Sequence, residues 1–133
     1  MALLVGVLLA LSVGFFATAV GLDRDRAFYP VVTIVVASYY ALFAAMGASI
    51  HALVLECVAG AVFVAAAVAG FRWSLWVAAL ALAGHGIFDF THGAVISNPG
   101  VPNWWPEFCA AYDVTAALFL GWLLKSGRVR AVA

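Results

Sequence analysis

Five long apolar stretches, separated by short segments with charged residues, glycine or proline, make up most of this chain. Each stretch has about the 20 residues that an α-helix needs to cross the hydrocarbon core of a bilayer. The predicted spans cover residues 2–21, 27–46, 52–71, 73–96 and 104–124. The pattern predicts an all-α integral membrane protein, in which residues 1–133 form a single domain, a bundle of five transmembrane helices.

All the basic residues lie in alternate connections of this predicted bundle, and these connections share one side of it. They are Arg24, Arg26, Arg72, Lys125, Arg128 and Arg130. The other side, made of the N-terminus, the turn GASIH (47–51) and the loop SNPGVPN (97–103), has no lysine or arginine. Because short loops rich in basic residues stay in the cytoplasm, we expect the N-terminus outside and the C-terminus in the cytoplasm. A four-helix bundle, with the second and third spans fused, would break this agreement.

The composition agrees with a membrane location. Hydrophobic residues make up 68% of the chain and charged residues 9%, and the mean hydropathy is +1.15. A soluble domain has about 45–50% apolar and about 25% charged residues. We expect an integral protein of a bacterial inner (plasma) membrane, in contact with membrane lipid, and a homo-oligomer is compatible with the pattern. The net charge of +0 gives no basis for a nucleic-acid partner, and no motif for an organic cofactor is evident.

The stretch GHGIFDFTHG (84–93) brings polar residues into the fourth predicted span. His85, Asp89 and His92 are spaced i, i+4 and i+7, so they share one face of a helix. Imidazole and carboxylate groups together suit divalent transition metals, and a His and an Asp one turn apart can bind one ion from a single helix. We therefore predict these three residues as metal ligands, with zinc favoured.

Two more carboxylates are expected at the same depth. Glu56 in the third span and Asp113 in the fifth lie about 9 Å and 13 Å from the outer helix ends, close to the level of Asp89. Because no predicted span contains a lysine or arginine, these carboxylates need protons, histidinium partners or a bound cation. Glu56 and Asp113 are predicted to be catalytic residues that complete the site or activate water at the metal.

Four further residues are predicted to contact a substrate or to support the ligands. They are Tyr39, Tyr40, Cys109 and Glu107. For Glu107 a second interpretation is a carboxylate favoured by the helix dipole, because it follows Pro106 in a first helical turn. For the whole set, the alternative is a network of hydrogen bonds that only joins the helices.

The stretch HGIFDFTH (85–92) is similar in chemical type to the intramembrane zinc hydrolases of the alkaline ceramidase and adiponectin-receptor group. Those proteins also join His and Asp from membrane helices near one face, and the likeness is confined to this stretch. We expect metal-assisted hydrolysis or acid/base conversion of a lipid-like substrate. The alternatives are a proton- or cation-coupled transporter, with Glu56, Asp89 and Asp113 as the relay, and a structural subunit of a larger membrane complex.

Overall fold

The computed structural model describes residues 1–132, and in this part of the chain all regular structure is helical. The long helices are α1 (Ala2–Val20), α2 (Phe28–Met46), α3 (Ile50–Arg72), α4 (Leu75–Val95) and α5 (Trp105–Lys125). A short 3-10 turn, Leu22–Arg24, follows α1. The predicted all-α fold with five helices is confirmed, and each predicted span coincides with one helix to within two residues at either end.

Serine caps account for the helix starts that differ most from the predicted ones. The Ser49 side chain accepts a hydrogen bond from the backbone N–H of Ala52, and α3 begins at Ile50, two residues earlier than predicted. His51 therefore belongs to the first turn of α3, not to the preceding turn. Ser74 caps α4 in the same way. A serine oxygen is favoured here because it satisfies a backbone N–H that has no partner within the helix.

Helix α4 lies in the centre of the bundle, in contact with α2, α3 and α5. Helix α1 packs on α5, and α2 packs along α3. The close approach of α4 to α5 depends on Gly86, because a Cβ atom there would lie 2.8 Å from Val114 Cγ2 and 3.1 Å from the Ala110 carbonyl oxygen. Small residues commonly allow such contacts between membrane helices. The backbones of α4 and α5 are therefore close enough for their polar side chains to meet.

The two ends of the bundle differ in charge. At one end the Arg26 guanidinium donates hydrogen bonds to the carbonyl oxygens of Phe71 (2.9 Å) and Ala131 (3.0 Å). These bonds join the α1–α2 connection to the end of α3 and to the C-terminal segment, so all six basic residues lie at this basic end. At the opposite end, Gly100 of the α4–α5 loop packs against the carbonyl group of Phe43.

Four of the helices, α1, α2, α3 and α5, are long and apolar enough to cross a membrane. Helix α4 has a similar length, 21 residues, but it carries His85, Asp89 and His92, which lower its hydropathy. The outward faces of α1 and α3 present large apolar side chains, such as Leu8 and Val62. An exposed apolar surface of this extent is typical of helices that face lipid.

Candidate metal centre

Four side chains from α4 and α5 converge in the core and form what we call the inner cluster. They are His85, Asp89, Cys109 and Asp113, each at most 2% exposed. Each helix supplies an i, i+4 pair, so both pairs point from one face toward the neighbouring helix. One possible ligand atom from each residue lies within 4.8 Å of all the others. This is a group of donors that could hold a metal ion.

The shortest contacts of the inner cluster are made by His85. Its Nδ1 atom lies 2.6 Å from Asp113 Oδ2 and 3.5 Å from Asp89 Oδ2. Cys109 Sγ lies 3.8 Å from the same Asp113 oxygen. The His85 ring is held in place by the edge-to-face contact with Phe63, with ring centroids 4.6 Å apart. The imidazole therefore faces both carboxylates.

A second buried pair, which we call the outer pair, lies nearer the end opposite the basic end. His92 Nε2 is 2.7 Å from Glu56 Oε1, and the Asn98 side-chain amide donates a 2.8 Å hydrogen bond to the same oxygen. Both residues of the pair, Glu56 and His92, are 2% exposed. The outer pair thus joins α3 to α4, and the loop after α4 covers it.

Tyr40 of α2 connects the inner cluster to the outer pair. Its hydroxyl donates a 2.7 Å hydrogen bond to Asp89 Oδ1. Its ring stacks on the His92 imidazole, with centroids 3.9 Å apart and an interplanar angle of 11°. The Asn98 amide also donates to the Tyr40 carbonyl oxygen, at 3.0 Å. The polar groups therefore form one connected system across four elements.

The structure divides the three residues that the sequence predicts as metal ligands. His85 and Asp89 belong to the inner cluster, whereas His92 pairs with Glu56. The two histidines are seven positions apart, which is about 10 Å along a helix axis. The remaining donors of the inner cluster come from α5 instead.

Two residues of α5 that the sequence predicts as part of the site lie in the inner cluster. Asp113, which the sequence analysis puts forward as catalytic, and Cys109, put forward as a supporting residue, are both among the possible ligands. They lie one turn apart on the α5 face that contacts α4. Glu56, the other predicted catalytic residue, is not part of this group and contacts His92 and Asn98.

Two other predicted residues lie outside the polar system. The Tyr39 ring packs against Phe43 and Trp105, with ring centroids 6.3 Å and 4.9 Å apart. Glu107 is exposed in the first turn of α5, where the helix dipole stabilises a carboxylate. The structure therefore places Tyr40, but not Tyr39 or Glu107, in contact with the candidate ligands.

Asn98 is the residue of this site that the sequence analysis missed. It lies in the loop SNPG (97–100), where Asn before Pro is typical of a turn, and its amide gave no sign of an inward orientation. The close packing of Gly100 on the Phe43 carbonyl holds this loop across the end of the bundle. An asparagine that follows a helix with polar intramembrane residues is only a weak sign of a contact with those residues. The path of the loop is what brings the Asn98 amide to Glu56.

The charges of the buried groups do not balance within the protein. Three carboxylates face two histidines, and every ion pair found within residues 1–132 involves a histidine. One oxygen of each carboxylate has no hydrogen-bond partner: Glu56 Oε2, Asp89 Oδ2 and Asp113 Oδ1. A charge in the centre of a bilayer costs about 2.5–3.5 kcal/mol on insertion scales. A further proton or a bound cation is therefore needed.

Toward the basic end, the core next to the inner cluster is apolar. Leu75 and Leu82 of α4 pack with Leu120 and Leu123 of α5, and each is at most 1% exposed. The buried hydroxyl of Thr33 donates to the Tyr29 carbonyl oxygen in its own helix, and the buried hydroxyl of Tyr29 has no hydrogen-bond partner. The polar system is thus confined to the half of the bundle opposite the basic end.

Comparison of this chain with protein-family models, with curated proteins and with solved structures finds no significant match. What the structure itself shows is four helices long and apolar enough to cross a membrane and a buried His/Asp/Cys cluster that could bind a metal ion.

Proposed function

We propose that this protein binds a divalent transition metal at the inner cluster and uses it to hydrolyse a lipid-like substrate within the membrane. In this proposal all five helices span the bilayer of a bacterial inner membrane, with the basic end in the cytoplasm. The observation that carries the proposal is the convergence of two carboxylates, an imidazole and a thiol within 4.8 Å in a core that has no basic side chain near them.

The charge of the inner cluster fits a divalent ion. Ionised Asp89 and Asp113 carry two negative charges, which a divalent cation would neutralise while His85 binds in its neutral form. The partnerless oxygens Asp89 Oδ2 and Asp113 Oδ1 supply lone pairs for coordination. A plain hydrogen-bond network would leave these atoms unsatisfied, and each such atom costs about 1–3 kcal/mol. Metal binding would remove this cost.

The donor types favour zinc among the divalent metals. Zinc accepts imidazole nitrogen, carboxylate oxygen and thiolate sulfur in tetrahedral sites. A catalytic zinc site keeps one position open for water, and three of the four residues would suffice as ligands. Cys109, whose sulfur lies 3.8 Å from Asp113 Oδ2, is the residue we expect to contribute least to binding.

The proposed reaction consumes water and breaks an acyl C–O or C–N bond, which yields a carboxylic acid and an alcohol or amine. A metal held by the inner cluster would polarise the carbonyl group of the substrate and lower the pKa of a water molecule that attacks it. The outer pair, Glu56 and His92, is the proposed acid/base partner, because a buried carboxylate beside an imidazole can hold and release a proton. Tyr40 contacts both groups and would position them relative to each other.

Hydrolysis is favoured over cation or proton transport because of the leucine layer. Transport requires a polar path to both sides, and Leu75, Leu82, Leu120 and Leu123 fill the core on the side of the basic end. A polar system confined to one half of the membrane suits an enzyme with a substrate from the bilayer.

The proposal is tested by the metal content of the purified protein, measured by mass spectrometry of the elements. Wild type should carry close to one equivalent of zinc, and His85→Ala and Asp113→Asn should lose it. The chain offers matched controls: His51→Ala and Glu107→Gln change exposed residues of the same chemical types and should retain the metal. Wild-type protein with no more metal than His85→Ala would contradict the proposal.

A further inference from the structure

A pocket at the basic end of the bundle, which we call the arginine pocket, is lined mainly by cationic side chains. Its volume is about 390 Å³, within the roughly 300–1,000 Å³ of ligand pockets. Two of its arginines precede α2 and two follow α5, so distant parts of the chain meet there. The lining residues are Arg24, Arg26, Arg128, Val129, Arg130 and Val132.

Hydrogen bonds and apolar packing hold together the two segments that form the arginine pocket. The Arg26 guanidinium donates to the carbonyl oxygens of Phe71 and Ala131, at 2.9 Å and 3.0 Å. The backbone N–H of Leu75 donates a 2.8 Å hydrogen bond to the same Ala131 oxygen. Val129 is 6% exposed and packs in the core. The pocket is therefore a part of the fold, with its backbone fixed on both sides.

The positive charge of the arginine pocket is not neutralised by ion pairs within residues 1–132, since every ion pair found there involves a histidine. The two carboxylates nearest in sequence have other partners. Asp23 accepts a 2.6 Å hydrogen bond from the Thr18 hydroxyl, and Asp25 accepts one of 2.9 Å from the backbone N–H of Ala27. A cleft lined by charges of one sign attracts counter-ions. The pocket therefore favours an anionic ligand.

The side chains of the arginine pocket suit a phosphate group. A guanidinium is a planar fork of N–H donors that matches two phosphate oxygens at once. Arg26 uses donors on carbonyl oxygens of the protein, whereas Arg24, Arg128 and Arg130 are exposed. Three guanidinium groups are thus accessible to a ligand, and the fourth holds the pocket together.

Tryptophans at the basic end place the arginine pocket at the level of lipid headgroups. The Arg128 guanidinium lies 4.6 Å from the centroid of the Trp122 ring. Trp122 is 45% exposed, and Trp73, at the end of α3, is 72% exposed. Exposed tryptophans of membrane proteins are enriched at the membrane–water interface. Because lipid phosphates occupy the same layer, they are the anions that meet this pocket at the highest local concentration.

We propose that the arginine pocket binds the phosphate group of an anionic phospholipid from the leaflet at the basic end. The phosphate lies among Arg24, Arg128 and Arg130. A zwitterionic lipid carries a cation beside its phosphate, which the arginines repel, so the pocket selects lipids with a net negative charge. This inference goes beyond the proposed function: it uses the membrane location given there, but neither the metal nor the reaction.

The test is a titration of the full-length protein in detergent with phosphatidylglycerol, followed by native mass spectrometry of the protein–lipid complex. Arg24→Gln combined with Arg130→Gln should weaken binding about thirtyfold, which corresponds to about 2 kcal/mol. Arg72→Gln combined with Lys125→Gln is the matched control, because it removes two exposed positive charges at the same end but outside the pocket. We expect the control to weaken binding less than about threefold.

Equal weakening by the two double variants would overturn the proposal, because general attraction to the basic end would then explain binding. Equal binding of phosphatidylcholine, or displacement of the lipid by an equal concentration of inorganic phosphate, would also overturn it. Thermal unfolding without lipid checks that the variants are folded, and Arg24→Gln with Arg128→Gln replaces the first pocket variant if that one is destabilised. His85→Ala should lose metal and still bind phosphatidylglycerol, so failure of either proposal leaves the other standing.

Discussion

At the scale of single residues, the Tyr40 hydroxyl links the α2 helix to the inner cluster by a hydrogen bond to Asp89. Tyr40→Phe removes the 2.7 Å hydrogen bond to Asp89 and keeps the ring that stacks on His92. A hydrogen bond to a charged group contributes about 1.5–3 kcal/mol, so we expect the free energy of unfolding to fall by about that amount. Denaturant titration in detergent measures it. Tyr39→Phe is the control and should change stability little, and equal losses in both variants would contradict this account.

Asn98 supports a prediction of the same kind for the outer pair. Asn98→Ala removes hydrogen bonds to Glu56 Oε1 and to the Tyr40 carbonyl oxygen and leaves Glu56 with His92 as its partner. We expect a loss of about 1–3 kcal/mol in the free energy of unfolding, because a hydrogen bond to a buried carboxylate and one to a backbone carbonyl group are both lost. Asn103→Ala alters an exposed asparagine of the same loop and should have an effect near zero. Equal free energies of unfolding for Asn98→Ala and Asn103→Ala would contradict this role of Asn98.

A substitution of Cys109 distinguishes a metal site that includes the thiol as a ligand from one that does not. Cys109→Ser should retain zinc if three other ligands suffice, but with reduced affinity because a thiolate ligand is exchanged for a hydroxyl. Competition with a chromophoric chelator measures the dissociation constant. Cys57→Ser, at an exposed position on α3, is the matched control and should bind like wild type. Unchanged affinity in Cys109→Ser would exclude the thiol from the ligand set.

At the scale of the helix, the position of Gly86 sets how closely α4 approaches α5. Gly86→Ala would bring a Cβ atom within 2.8 Å of Val114 and within 3.1 Å of the Ala110 carbonyl oxygen. Overpacking of this kind costs about 1–3 kcal/mol, and separation of the helices would weaken metal binding as well. Gly84→Ala is a strict control on the same helix, because its Cβ would meet nothing within 4 Å. Thermal unfolding and metal content should both distinguish the two variants.

The pattern of apolar residues predicted the helices well, because a membrane helix makes its backbone hydrogen bonds within its own segment. It therefore requires only a sufficiently long run of apolar residues. The i, i+4 spacing of His85 and Asp89 likewise placed them on one face before any packing was known. The spacing could not say which residues of other helices meet that face. Asp113 and Cys109 reach it because α5 contacts α4, whereas His92 faces α3 and pairs with Glu56.

At the scale of the whole molecule, the separation of basic residues from the buried polar site predicts an orientation. In a bacterial inner membrane, Asn103 should be reached by a membrane-impermeant maleimide from outside the cell when replaced by cysteine, in a Cys57→Ser background. Ser126→Cys, at the basic end, should react only after permeabilisation. Both positions are exposed, and the buried Cys109 should not react. The reverse pattern of labelling would overturn the predicted topology.

The sequence by itself determined the class of the protein, the number of helices, the location of the basic residues at one end and the presence of unneutralised carboxylates in apolar segments. These follow from composition and local periodicity, which act along one helix at a time. Only the tertiary structure decided how the polar residues are shared between the inner cluster and the outer pair, that Tyr40 joins the two groups and that Asn98 covers the outer pair. Each of these depends on the contacts between helices far apart in the chain, which are set by the close fit of side chains such as the one that Gly86 permits.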